Sequence, residues 1–130
     1  MDCTVTVSCP IFPSEDPEKV RRAVLNIFPD AVLDVGAEMI TSDSAGLVHF
    51  GEQIRRQRIL DTARSVLIKG RNGERSRFSL NKQAAYAGKI SFVEEKATLG
   101  TIRVTVEAED ITSFIEALAP RTVDGEEVRI

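Results

Sequence analysis

Tryptophan is absent from this chain, and tyrosine and histidine occur once each, as Tyr86 and His49. Cysteine occurs twice. These scarcities close off whole classes of chemistry. One histidine without a Cys-x-x-Cys leaves too few ligands for a zinc site. Cys3 and Cys9 stand on a stretch that alternates like a strand, which sets them roughly 20 Å apart at about 3.3 Å per residue. A disulfide between them is excluded at that distance, and both are expected as small core residues. No apolar run approaches the roughly 20 residues of a membrane span. The opening MDCTVTVSCP lacks the basic-then-apolar layout of a signal peptide, so the expected location is the cytoplasm. Catalytic patterns are missing as well: there is no His-Glu-x-x-His, no Gly-x-Ser-x-Gly and no paired-carboxylate motif. His49 lies beside Leu47 and Phe50 with no motif around it and is expected as a partly exposed structural histidine. The sequence therefore assigns no catalytic residue, no metal and no cofactor.

What the chain does have is an uneven charge distribution. Its net charge is −3 over 130 residues, which by itself argues against a nucleic-acid partner. Residues 1–54 carry a balance of −6 and residues 90–130 one of −5, but residues 55–89 hold ten basic and two acidic groups, a balance of +8. The basic ten are Arg55, Arg56, Arg58, Arg64, Lys69, Arg71, Arg75, Arg77, Lys82 and Lys89. Such a segment can draw a polyanion locally while the acidic remainder keeps the protein dissolved. It can equally pair with the acidic ends of its own chain.

The hydrophobic pattern gives one α+β domain over residues 1–130, a mostly antiparallel sheet with helices packed on one face. Cys3 to Cys9 alternates, with Cys3, Val5, Val7 and Cys9 inward. Asp16 caps a helix with Pro17 at its first position, and Pro29 stops it. Ala31–Val35 and Glu38–Ser42 read as strand pieces around Gly36, one bulged strand. From Leu47 to Lys69 the chain is helical, but the apolar stripe shifts between Ile54 and Ile59, which predicts a break near Arg56–Arg58. Gly70 closes that region as a cap, and Arg71-Asn72-Gly73 is a turn. Arg75–Leu80, Ile90–Val93 and Thr101–Glu107 are strands. Asp110 caps a last helix ended by Pro120, and the tail is expected to turn and add an edge strand. The spacing of Arg58, Asp61 and Arg64 lets Asp61 pair with both arginines on one helix face.

Phe78 to Phe92, FSLNKQAAYAGKISF, tests two nucleotide motifs and fails both. A phosphate-binding loop ends Gly-Lys-Ser/Thr, and Gly88-Lys89 fits, but Gln83 replaces its first glycine and Ile90 its hydroxyl. A guanine-reading Asn-Lys-x-Asp would need a carboxylate where Ala84 stands. Asn81 instead fits the cap of one helical turn over Lys82–Ala87, ended by Gly88. That turn would offer Lys82, Gln83 and Lys89 to solvent.

Several stretches resemble an archaeal family of predicted RNA-binding proteins and proposed exosome subunits. They are DPEKVRRAVLNIFPDA (16–31), EQIRRQRILDTAR (52–64), FSLNKQAAYAGKISF (78–92), LGTIRV (99–104) and FIEALAPRT (114–122). The resemblance implies an α+β fold similar to a large-subunit ribosomal protein that contacts the small ribosomal RNA of that subunit, and it carries no catalytic residues. RNA of the translation or RNA-processing machinery is the implied partner, with exosome or ribosome-associated proteins beside it. Arg55, Arg56, Arg58, Arg64, Lys69, Arg71, Lys82 and Lys89 would contact phosphates, and Asn81 and Gln83 would read base edges or a 2′-OH. Aromatic stacking is poorly supplied, so binding is expected to follow shape and to weaken with salt. The competing reading is a protein-interaction module, a homodimer or complex subunit, whose basic segment meets an acidic surface. An enzyme would require a pocket gathering Asn81, Lys82, Asp61 and Arg64.

Overall fold

The computed structural model describes residues 3–93, 100–123 and 126–127. Its centre is β1 (Cys3–Pro10), flanked by β3 (Met39–Ser42) and β7 (Ile102–Ala108), both antiparallel to it. β2 (Asp34–Val35) extends the sheet past β3, and β5 (Arg75–Leu80) extends it past β7. The outer edge of β5 is shared by β4 (Arg71–Asn72) at one end and β6 (Phe92–Val93) at the other. Every pairing among the described residues is antiparallel. The helices are α1 (Pro17–Ile27), α2 (Val48–Arg56), α3 (Leu60–Lys69), α4 (Lys82–Tyr86) and α5 (Ile111–Leu118).

The period-2 pattern of the strands decides which sheet face the helices cover. Val5, Val7 and Cys9 of β1, Phe78 and Leu80 of β5, and Ile102, Val104, Val106 and Ala108 of β7 are buried. They meet Val20, Val24 and Ile27 of α1, Phe50 and Ile54 of α2, Ala63 and Leu67 of α3, and Ile111 and Ile115 of α5 in one core. Phe50 sits at its middle, with its ring centroid 5.5 Å from Phe78 and 6.3 Å from both Phe28 and Phe92. The alternate strand positions, Thr4, Thr6, Arg75, Arg77, Arg103 and Glu107 among them, are exposed. One face is thus packed and the other open, as half-buried antiparallel sheets allow.

Several expectations change in detail. Cys3 is exposed, while Cys9 is buried and its thiol is pushed up to about 11 by burial, so it stays protonated. Cys3 shares the inward face but stands at the strand's end, lining an open groove with residues of α2 and α5. The two pieces around Gly36 are a hairpin, β2 against β3, not one bulged strand: the Gly36 N–H donates to Met39 O at 2.8 Å and reverses the chain. The helical region does break where the stripe shifts. α2 ends at Arg56, and Arg58 takes a φ of +58°, which swings α3 onto a new axis. Arg71 and Asn72 belong to a short strand, with Gly73 (φ +63°) left as the turn. Among the described residues of the tail the pairing is within the tail itself. Thr122–Val123 (β8) and Glu126–Glu127 (β9) pair with each other.

Candidate nucleic-acid interface

α3 ends against β5, and this junction builds the first half of the site. The Gly70 N–H donates to Val66 O, and Gly70 O accepts from the Arg77 N–H at 3.0 Å. Buried Ser76 donates its hydroxyl to Leu67 O at 2.7 Å. A methyl group on Gly70 would stand 1.9 Å from the Arg77 carbonyl oxygen. Only glycine lets the helix end come so close to the strand. The close approach delivers Lys69 and Arg71 beside Arg75 and Arg77, and the four cations line one depression of about 570 Å³ with Glu74 and Glu107. Arg71 is steadied by Thr112, whose hydroxyl accepts from its guanidinium at 2.9 Å. Arg75 pairs with Glu107 at 3.3 Å on the neighbouring strand.

The second half is the open sheet face. Its residues fall into cross-strand rows set by register. Thr6, Thr105 and Arg77 form one row, Thr41, Ser8, Arg103 and Ser79 a second, and Thr4, Glu107 and Arg75 a third. Ser8, Arg77, Ser79, Arg103 and Thr105 line a depression of about 420 Å³ in the middle of that face. Among the described residues neither Arg77 nor Arg103 has an ion-pair partner. Their charge is therefore available to a ligand.

The other residues predicted as contacts are dispersed. Arg64 lies under α5, donating to the Glu116 carboxylate and to Ala119 O. The hydrogen bond with Glu116 raises the arginine's affinity for its proton and holds the Glu116 carboxyl below its usual range. Arg64 is thus a clasp between α3 and α5, paired with Glu116. Arg55 donates to Gly51 O and Leu118 O on the helical side. Arg56 reaches Gln53 at 3.4 Å, and Arg58 is exposed at the α2–α3 break. The Lys82 side chain is 10 % exposed; its ammonium donates to Pro10 O and both Glu15 oxygens and lies 4.9 Å from the centre of the Phe12 ring. Gln83 and Lys89 are exposed near α4. Asn81 caps α4, its Oδ1 accepting from the Ala84 N–H at 2.8 Å. Asn81→Ala should therefore lower stability by about 1 kcal/mol, which thermal melts would check. Arg64 and Lys82 are engaged in different places, so the pocket an enzyme would need from Asn81, Lys82, Asp61 and Arg64 is not assembled.

Sequence reasoning passed over Arg103, and it counted Arg75 and Arg77 only as part of a basic run. The signal was present: Ile102-Arg103-Val104-Thr105-Val106-Glu107 alternates strictly, which puts Arg103 on the face opposite the core. Together with the outward Arg75 and Arg77 of β5, it points to one surface. Among the described residues no group of three His, Cys, Asp or Glu could hold a metal ion, and no helix is long and apolar enough to cross a membrane.

Comparison with known proteins fits this geometry. Residues 4–108 match the model of a family described as RNA binding. A UPF0201 protein of Thermococcus onnurineus is 43% identical, the match covering 93% of this chain and 94% of that one. A UPF0200/UPF0201 protein of Archaeoglobus fulgidus is 41% identical over 96% of this chain, which spans only 40% of that longer relative. The crystal structure of a UPF0201 protein from Methanococcus jannaschii is 37% identical and superimposes with a TM-score of 0.90, covering 97% of this chain and 99% of that one. A more distant structure from Archaeoglobus fulgidus, at 20% identity and a TM-score of 0.69, shares the fold. The chain accordingly belongs to the archaeal UPF0201 family and to the family described as RNA binding.

Proposed function

We propose that this protein binds RNA non-catalytically, through phosphate contacts made by the α3–β4–β5 corner and the open sheet face. Lys69, Arg71, Arg75 and Arg77 supply the corner, and Arg77 continues onto the face with Arg103. The observation that carries this reading is their convergence at the α3–β4–β5 corner and the adjoining sheet face, in a chain whose net charge is −3. Arginine suits the task because its planar fork pairs with two phosphate oxygens at once. The hydroxyls between the arginines can donate or accept and so suit sugars. Arg64, Asn81 and Lys82 support the surface from within the fold instead of contacting the ligand. Folded RNAs of the translation or RNA-processing machinery present dense phosphate surfaces of the kind this site fits, and exosome or ribosome-associated proteins are partners consistent with that role.

The double reversal Arg77→Glu/Arg103→Glu tests the reading. Fluorescence anisotropy with a ribosomal RNA fragment at about 0.1 M salt should show affinity lower by at least about thirtyfold, since two phosphate attractions become repulsions. Unchanged RNA affinity would overturn the proposal. Loss of an oligomer by light scattering with RNA affinity intact would put a protein-interaction surface in its place.

A further inference from the structure

The open face carries an asymmetry that narrows the kind of RNA it takes. Its described outward residues on β1, β7 and β5 are threonine, serine, arginine, one glutamate and Pro10, with no aromatic ring among them. The chain's aromatics lie off these outward positions, the exposed Phe12 in the loop after β1 with the Lys82 ammonium over its ring. Phe28, Phe50, Phe78 and Phe114 are buried and Phe92 packs against them. Tyr86 sits on α4, on the helical side. Single-stranded nucleic acids are gripped by stacking their unpaired bases on aromatic side chains, in addition to any charge. Among the described outward residues of these strands there is no aromatic ring for a base to stack on.

It does have two features matched to a paired backbone. The first is a row of charge at regular steps. Arg75 and Arg77 are two residues apart on one strand, about 6.6 Å. Arg77 stands opposite Thr105, so Arg103 is its diagonal neighbour, about 7–8 Å away. The second is the hydroxyl row running Thr6–Thr105 beside Arg77, with Ser8 next to Arg103. A hydroxyl that both donates and accepts is the natural partner of a 2′-OH. A-form RNA presents its 2′-hydroxyls on a wide, shallow minor groove with a phosphate strand on either side. Resting on the RNA-binding reading above, we infer that the ligand of this face is double-stranded A-form RNA, held by Arg75, Arg77 and Arg103 on phosphates and by Thr6, Ser8 and Thr105 on 2′-hydroxyls.

The test is a comparison of three probes by fluorescence anisotropy: a blunt 16-base-pair RNA duplex, one of its strands made uridine-rich and unable to fold, and the DNA duplex of the same sequence. The RNA duplex should bind at least about tenfold more tightly than either of the others. Arg77→Ala/Arg103→Ala should make its salt dependence shallower by a log–log slope of about 2, close to one unit per phosphate released. Thr6→Val/Thr105→Val, whose fold is checked by its melting curve, should bring the RNA-to-DNA affinity ratio to within about threefold. A single strand that binds as tightly as the duplex would overturn the inference and leave the RNA-binding reading standing. DNA binding as tight as RNA would overturn the role of the hydroxyl row. Failure to bind RNA in any form would overturn the reading on which both rest.

Discussion

Gly70→Ala should destabilise the protein by about 3 kcal/mol, at the upper end of what overpacking costs. The added methyl would fall 1.9 Å from Arg77 O, a backbone atom that cannot swing aside as a side-chain tip would. Relief requires α3 and β5 to separate. That would stretch the hydrogen bond from Arg77 N to Gly70 O and the one from Ser76 Oγ to Leu67 O. Amide exchange should accordingly quicken at Arg77 first, and the melting temperature should fall by roughly 10 °C. Gly73→Ala is the control. Gly73 has a φ of +63°, and nothing lies within 4 Å of the point where a Cβ would stand, so alanine there meets only left-handed strain, about 1 kcal/mol. The two glycines lie three residues apart, so the contrast separates steric closeness from backbone preference. RNA affinity should fall for Gly70→Ala more than for Gly73→Ala, because Lys69 and Arg71 lose their place beside Arg75 and Arg77. Equal effects of the two substitutions on stability would refute this account of the junction.

Gly70 also marks where sequence reading stopped. Its position after a helical stripe identified it as the cap, and it is the cap, but with a φ of −82°. No left-handed residue is needed there. The demand comes from Arg77, seven residues away and on another element, and no local pattern encodes that. Elements defined by periodicity were legible: the alternation of β1, the shifted stripe that breaks α2 from α3, and Asp16, Asn81 and Asp110 as helix caps. Each depends on neighbours within a few positions. The hairpin at Gly36 was less legible because the strand before it is two residues long, too short for an alternation to declare itself. The site was half legible for the same reason. A run of charge shows in a sequence, but whether a cation faces solvent or a carboxylate depends on partners far along the chain. Glu116 lies 52 positions from Arg64 and Glu15 lies 67 positions from Lys82. Those distant carboxylates removed two members of the basic run from the candidate surface. Strand register restored Arg103, which lies outside it.

Lys82→Ala is expected to cost about 3 kcal/mol at neutral pH and to leave RNA affinity within about twofold, because it breaks a largely buried ion pair by removing one partner. Glu15 would be left with its carboxylate partly enclosed, and the loop that carries Phe12 would lose its tie to α4. The pH dependence distinguishes this from simple loss of packing. Burial works against ionisation of Glu15, but the Phe12 N–H and the Lys82 ammonium outweigh it and hold the carboxyl below its ordinary 4.5. A carboxyl whose folded value is depressed contributes stability that is present above its unfolded value and is lost as pH falls through the folded one. In Lys82→Ala the lysine's share of that stabilisation is gone while burial remains. The deficit relative to the parent should therefore be largest near pH 7 and smaller at an acid pH that protonates Glu15, where the neutral carboxyl needs no counter-charge. Urea unfolding at the two pH values measures it. Glu15→Gln in the Lys82→Met background should recover much of the loss, since a neutral pair of similar volume leaves no charge unpaired. A deficit of equal size at both pH values would mean that the ammonium acts by filling space, and a large drop in RNA affinity at unchanged stability would return Lys82 to the binding surface.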